Sequence, residues 1–168
     1  MRTRRLMATA VGVMAGLASF GAGAGASPGP SVHGSGTVTL PARFGELAGD
    51  PVVFTLQARG RGATASGRFT IVHRDDAGGL YAHAVGDVTC TSVADGVAVT
   101  TGIIRHAWFR DFPGSLVVGT AVAITVADDG AGDEVGFDFE FFEEGSNIAP
   151  CTRVEPFAPV ERGNFTVR

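Results

Sequence analysis

The densest set of potential ligand atoms in this chain is a run of acidic side chains near its carboxyl end. Eight carboxylates fall within residues 128–144, around a glycine-containing turn. Calcium takes about six to eight oxygen ligands, although the spacing does not match an EF-hand loop. The candidate calcium ligands are Asp128, Asp129, Asp133 and Glu134. The alternative, which we prefer, is a solvated hairpin whose charges discourage edge pairing beside a Phe-rich strand. No other cofactor is indicated.

A second candidate site interleaves aromatic and arginine side chains in a predicted loop, residues 105–114, which ends in Pro-Gly. Trp and Arg are enriched where proteins bind partners, and a barrel mouth is a common ligand site. The candidate binding residues are Arg105, Trp108, Phe109, Arg110 and Phe112. The alternative, again preferred, is that the aromatic side chains fold over one end of a barrel and close its core.

The four histidines, His33, His73, His83 and His106, form no recognisable catalytic or metal-binding motif. His73 and His83 flank a predicted turn at 75–79, but antiparallel pairing there brings His73 nearer to Tyr81, which argues against a zinc pair. The sequence has no Gly-x-Ser-x-Gly, no His-Glu-x-x-His and no phosphate-binding glycine loop. No catalytic residue is therefore predicted.

The first 26 residues have the three parts of a secretory signal. Arginines 2, 4 and 5 precede an uncharged apolar run, Leu6 to Phe20, and Ala24-x-Ala26 fits a cleavage site. We expect the general secretory route rather than the twin-arginine route. This segment could instead be retained as a membrane anchor, but we expect it to be cleaved. The mature protein is therefore predicted to be secreted and extracellular, without a membrane span.

The mature chain is acidic and contains one pair of cysteines. Three of the 13 basic residues leave with the signal, so 10 remain against 17 acidic ones and the net charge is −7. This balance argues against nucleic acid or an anionic membrane as partner. Cys90 and Cys151 are predicted to form a disulfide, because an even count in an oxidising compartment favours one and no Cys-x-x-Cys is present.

Alternating polar and apolar residues predict an all-β domain over residues 32–168, after a disordered tail at 27–31. Period-2 alternation is clearest in residues 52–59, 68–74 and 137–141. Leu116, Val118 and the apolar residues up to Val126 predict one long strand. Turn residues recur at intervals of roughly 10–15 residues, which favours an antiparallel barrel of about 7–9 strands, with a β-sandwich as the alternative.

Several short motifs resemble those of mostly uncharacterised small secreted bacterial proteins. They are Gly-Asp-Val-Thr-Cys ending at Cys90, Asp-Asp-Gly at 128–130, the late Cys151, and Gly-Asn-Phe-Thr-Val at 163–167. The resemblance covers most of residues 34–168. It implies a barrel similar to that of allene oxide cyclase, and it transfers no active site.

These observations predict a binding or structural protein without catalysis of its own, whose partner would be a small apolar ligand or a protein. An isomerase or cyclase in the barrel cavity is the first alternative, although the predicted inward side chains are nearly all Val, Ile, Leu and Phe. A secreted inhibitor or interaction module that uses residues 105–114 is the second.

Overall fold

The computed structural model describes residues 29–128, 130, 132–142 and 147–168. The predicted signal at 1–26 and Asp129 lie outside these ranges. Ser31, placed by sequence in the disordered tail, is the first residue of a strand. No helix in the described ranges is long and apolar enough to cross a membrane.

The fold is a single antiparallel sheet that curls into a half-barrel, which confirms the all-β prediction. The strands stand in the order β8-β7-β6-β5-β4-β3-β2-β1-β9, so all neighbours except β1 and β9 are consecutive in the chain. The strands are β1 (Ser31–Thr39), β2 (Pro51–Arg59), β3 (Ser66–Arg74), β4 (Leu80–Ala94), β5 (Val97–Phe109), β6 (Ala121–Asp128), β7 (Asp133–Phe139), β8 (Ala158–Pro159) and β9 (Arg162–Val167). Short 3-10 helices span Ala42–Leu47, Gly114–Leu116 and Glu140–Phe142.

The longest hairpin, β4–β5, is built on a two-residue Asp95-Gly96 turn. Both residues have positive φ, 50° and 75°, as a type I′ turn requires. The twist of such a turn matches the twist of the strands on either side, which suits a long hairpin that curves with the sheet.

The core of the half-barrel is filled by the inward side chains of alternate strand positions. Phe54, Phe69, Phe165 and Ile104 are among the largest fully buried ones. The Phe69 ring lies over Gly86 and Gly102, where an added Cβ would overlap it. These two glycines therefore make room for an aromatic ring inside the sheet.

The segment from residue 147 to residue 156 covers the outer face of β5, β6 and β7, and we call it the strap. The Cys90–Cys151 disulfide joins it to β4, which confirms the predicted pair. The Cys151 N–H donates to Thr101 Oγ1 at 3.0 Å, and the Val154 N–H donates to Thr125 Oγ1 at 3.1 Å. Because the strap covers one face and the core the other, the first six residues of β6 are all buried.

The predicted long strand over residues 116–126 is wrong in its first part. Leu116 and Val118 are exposed, whereas Val117 is buried. Gly119 has a φ of +94°, a left-handed conformation that interrupts an extended chain. The strand β6 therefore begins only at Ala121, and residues 114–120 run beside the end of β5 through hydrogen bonds to Ile104.

Candidate functional site

An apolar cavity opens at one end of the half-barrel, where β1 and β3 end and β2 and β4 begin, and we call this end the mouth. Apolar side chains line it, together with the ring of His73. Ala82 and Ala84 on β4 leave the space, because larger side chains there would fill it. Phenylalanines supply much of the wall: Phe44, Phe54, Phe109, Phe137, Phe139 and Phe141.

The phenylalanines of the mouth form a connected set of ring contacts. Phe137 is central, with ring centroids 4.9 Å from Phe54, 5.5 Å from Phe44 and 5.1 Å from Phe157. The Arg43 guanidinium lies 3.4 Å from the Phe157 ring centroid, a cation–π contact at the solvent edge. Such tilted and stacked pairs hold the rings in place, so the cavity has a defined wall.

His73 and Asp50 form a buried polar pair at the edge of this cavity. His73 Nε2 lies 2.8 Å from Asp50 Oδ2, and both side chains are about nine-tenths buried. The Tyr81 ring packs against the imidazole at a tilt of 50°, with centroids 4.7 Å apart, and His73 is thus close to Tyr81, as predicted. Asp50 is held by a hydrogen bond from the Leu40 N–H to its carbonyl, which fixes the loop that carries it.

Sequence reasoning did not find this pair. The alternation in residues 68–74 places Phe69 and Ile71 inward, and one more step along the strand places His73 inward as well. The alternation could therefore have predicted that the His73 side chain points into the core. Asp50, 23 residues earlier, lies in a loop between the 3-10 helix Ala42–Leu47 and β2, and no periodicity fixes the direction of a loop side chain.

Arg110 and Asp111 fix the rim of the mouth by electrostatic contacts. The Arg110 guanidinium donates to Asp75 Oδ2 at 2.7 Å and to the Leu80 carbonyl at 2.8 Å. The hydrogen bond from Arg110 lowers the pKa of Asp75, and the hydrogen bond to Asp111 raises the pKa of Tyr81. The β3–β4 turn is thereby tied to the end of β5.

The five candidate binding residues separate into three groups, and residues 105–109 belong to β5 rather than to the predicted loop. Phe109 and Phe112 stack at 4.3 Å between centroids and pack against the core, so the capping interpretation holds for them. It is wrong for Trp108, which is 47% exposed. Trp108 and Arg105 lie on the outside of the sheet, and Arg110 lies at the rim.

Two of the four calcium candidates, Asp128 and Asp133, lie at the seam between β6–β7 and β9. Asp128 Oδ2 accepts the Val167 N–H at 3.1 Å, and Asp133 Oδ2 accepts the Phe165 N–H at 2.6 Å. Glu134 is exposed. No group of three or more His, Cys, Asp or Glu within the described residues is arranged to hold a metal ion. The two aspartates have a visible structural use, and calcium binding stays a prediction.

Comparison with known proteins gives no relative. No protein-family model matches the chain, no curated protein matches it, and no solved structure matches it. The function must therefore be argued from the site. Chemically, the mouth offers an apolar wall for a small hydrocarbon group, with one buried imidazole–carboxylate pair beside it.

Proposed function

We propose that this chain is an exported protein that binds a small apolar ligand in the mouth of its half-barrel. The observation that carries the proposal is the cavity itself. Its wall is made of aromatic and aliphatic side chains on rigid strands, which is the usual composition of a small-molecule site.

Two features support export. Residues 1–26 read as a secretory signal, and the Cys90–Cys151 disulfide is a bond that persists in oxidising compartments. The proposed fold relationship to allene oxide cyclase is compatible with a ligand in the barrel, and it stays a proposal that rests on the short sequence motifs.

The size of the cavity restricts the ligand. Its volume is about 60 Å³, more than the roughly 10–15 Å³ that one water molecule needs and less than half of the roughly 150 Å³ of an engineered apolar cavity that binds benzene. The wall is apolar except for His73, so a water molecule there would find few polar partners and the cavity favours a small apolar guest. A ring or a short alkyl chain matches this chemistry, whereas a sugar or a nucleotide does not.

A direct test measures the binding of benzene, a probe without polar atoms. We expect benzene to bind saturably, to raise the melting temperature and to shift the methyl resonances of Leu40 and Ile71. The variant Ala84→Leu fills the cavity and should abolish these effects. Ala94→Leu, at an exposed position of the same strand, is the matched control. Methyl resonances that do not respond to benzene would contradict the proposal.

An isomerase or cyclase is the second candidate, favoured by the Asp50–His73 pair. A carboxylate that orients an imidazole is an arrangement used for proton transfer, and here it borders an apolar cavity. A suitable probe is a small β,γ-unsaturated ketone, whose conversion to the conjugated isomer is seen by its absorbance. Conversion that is lost in His73→Leu would favour the enzyme over the binding protein.

A further inference from the structure

The outer face of β1–β5 carries a polar surface that the mouth does not use. The strap covers β5–β7 and reaches β4 only at Cys90, so the outward residues of β1 to β3, of β4 before Cys90 and of the end of β5 are exposed or half-buried. Cross-strand register aligns them in rows. One row runs Thr37, Val53, Val72, His83 and Trp108, and the next runs Ser35, Thr55, Thr70, Val85 and His106.

This surface, the outer face, is cationic although the chain is acidic. Its charged side chains are four arginines and one aspartate, in a chain of formal net charge −4. Asp87 lies directly across from Arg68 and accepts a hydrogen bond from Arg105 Nε at 3.0 Å; among the described residues, the other three arginines of this face form no ion pair within 4 Å. They are Arg59, Arg68 and Arg74. Three of the four histidines, His33, His83 and His106, also lie here.

Trp108 gives the outer face a single aromatic platform. It lies directly across from His83 and is 47% exposed. Its neighbours on this face are imidazoles, hydroxyls and half-buried valines. A protein interface would need a dry apolar centre. Leu116 and Val118 are exposed on the segment beside the end of β5, but on the described strands β1–β5 only Leu80 joins Trp108 among the large exposed apolar side chains.

We propose that the outer face binds an anionic polysaccharide, a chain of uronate-type sugars. The C–H face of a pyranose ring stacks on an exposed indole, and arginine pairs with carboxylates through two parallel hydrogen bonds. Five neighbouring strands span roughly 19 Å, enough for several sugar rings side by side. The local positive charge is complementary to the polymer, while the acidic β6–β7 side would repel it.

The test titrates the purified, disulfide-linked protein with oligogalacturonate. Trp108 is the only tryptophan, so its fluorescence reports on this surface directly. We expect saturable binding that changes the emission and weakens with added salt. Dextran, a neutral polymer, should bind much more weakly.

Variants followed by calorimetry locate the site. Trp108→Ala should weaken binding by about tenfold or more, and Trp108→Tyr should restore most of it. Arg68→Gln should weaken binding by roughly three- to tenfold. Arg153→Gln, an exposed arginine on the strap, is the matched control and should leave the affinity unchanged. Unaltered melting temperatures would show that each variant is folded.

Three results would overturn the proposal. The first is the absence of saturable binding of oligogalacturonate. The second is equal affinity for single-stranded DNA, which would make the face a general polyanion site. The third is full affinity in Trp108→Ala, which would mean that the indole is not a sugar platform.

Discussion

At the scale of single residues, the least expected feature is the buried pair of Asp50 and His73. Taking charged or polar groups out of water costs free energy that their mutual contact only partly returns. Their position beside the cavity gives a reason for keeping them. The same burial makes each partner dependent on the other.

The dependence can be measured by a double-mutant cycle. His73→Leu leaves the Asp50 carboxylate buried without its partner, so we expect a loss of about 3–5 kcal/mol in the free energy of unfolding. Asp50→Asn combined with His73→Leu should lose less than the two single changes together. Urea denaturation gives the values, and strictly additive losses would show that the pair is not coupled.

Gly86 is a second residue on which the core depends. A Cβ at this position would overlap the Phe69 ring and approach the Ile103 carbonyl, so Gly86→Ala should cost about 1–3 kcal/mol or more through overpacking. Phe69→Leu removes the ring, so Gly86→Ala should lower the free energy of unfolding by less in the Phe69→Leu background than in the parent. Gly29→Ala, where the added carbon meets nothing within 4 Å, is the control and should melt like the parent.

At the scale of elements, alternation predicted more of the fold than of the site. Residues 52–59 and 68–74 form β2 and β3 with the predicted faces, because each of these strands has one buried and one wet face. Phe141 departs from its predicted strand and lies in a 3-10 helix, yet it still lines the cavity. The strap was not predicted, since its contacts are made by loop backbone and isolated side chains that have no period.

The strap also explains why the disulfide should matter. It closes a span of 61 residues, for which the chain-entropy model gives about 4 kcal/mol, before any strain in the folded state reduces it. We expect the double variant Cys90→Ala/Cys151→Ala to lose up to that amount. Hydrogen exchange should also become faster at the backbone amides of positions 151 and 154, which donate to Thr101 on β5 and Thr125 on β6. Unchanged exchange would mean that packing alone holds the strap.

At the seam between β6–β7 and β9, the side-chain carboxylates of Asp128 and Asp133 accept hydrogen bonds from backbone N–H groups of β9. These bonds take the place of backbone–backbone hydrogen bonds between strands. Asp133 accepts the Phe165 N–H of β9, and hydrogen bonds to charged groups contribute roughly 1.5–3 kcal/mol. Asp133→Ala should therefore destabilise the protein by about that amount, whereas Asp133→Asn keeps an acceptor and should cost less. If calcium instead uses this carboxylate, millimolar calcium will raise the melting temperature of the parent and not of Asp133→Asn.

At the scale of the whole molecule, charge is unevenly distributed over the described residues. Four acidic residues lie on β6 and β7, four arginines and three of the four histidines lie on the outer face of β1–β5, and the apolar cavity opens at the mouth. The strap covers the outer side of β5–β7, which leaves the outer face of β1–β5 exposed. The two proposed sites, the mouth and the outer face, do not overlap, so we expect the protein to bind both proposed partners at the same time.

The proposal that the chain is exported can be checked on the intact protein. We expect the form recovered from culture supernatant to begin at Ser27, because Ala24-x-Ala26 fits the cleavage site, and to have a mass two hydrogens below that of the reduced chain. Mass spectrometry before and after reduction measures both. As the control, a variant in which the apolar run Leu6 to Phe20 is replaced by a charged segment should stay inside the cell. Retention of Met1 in the supernatant form, or two thiols that react without reduction in the unfolded protein, would contradict export with cleavage and oxidation.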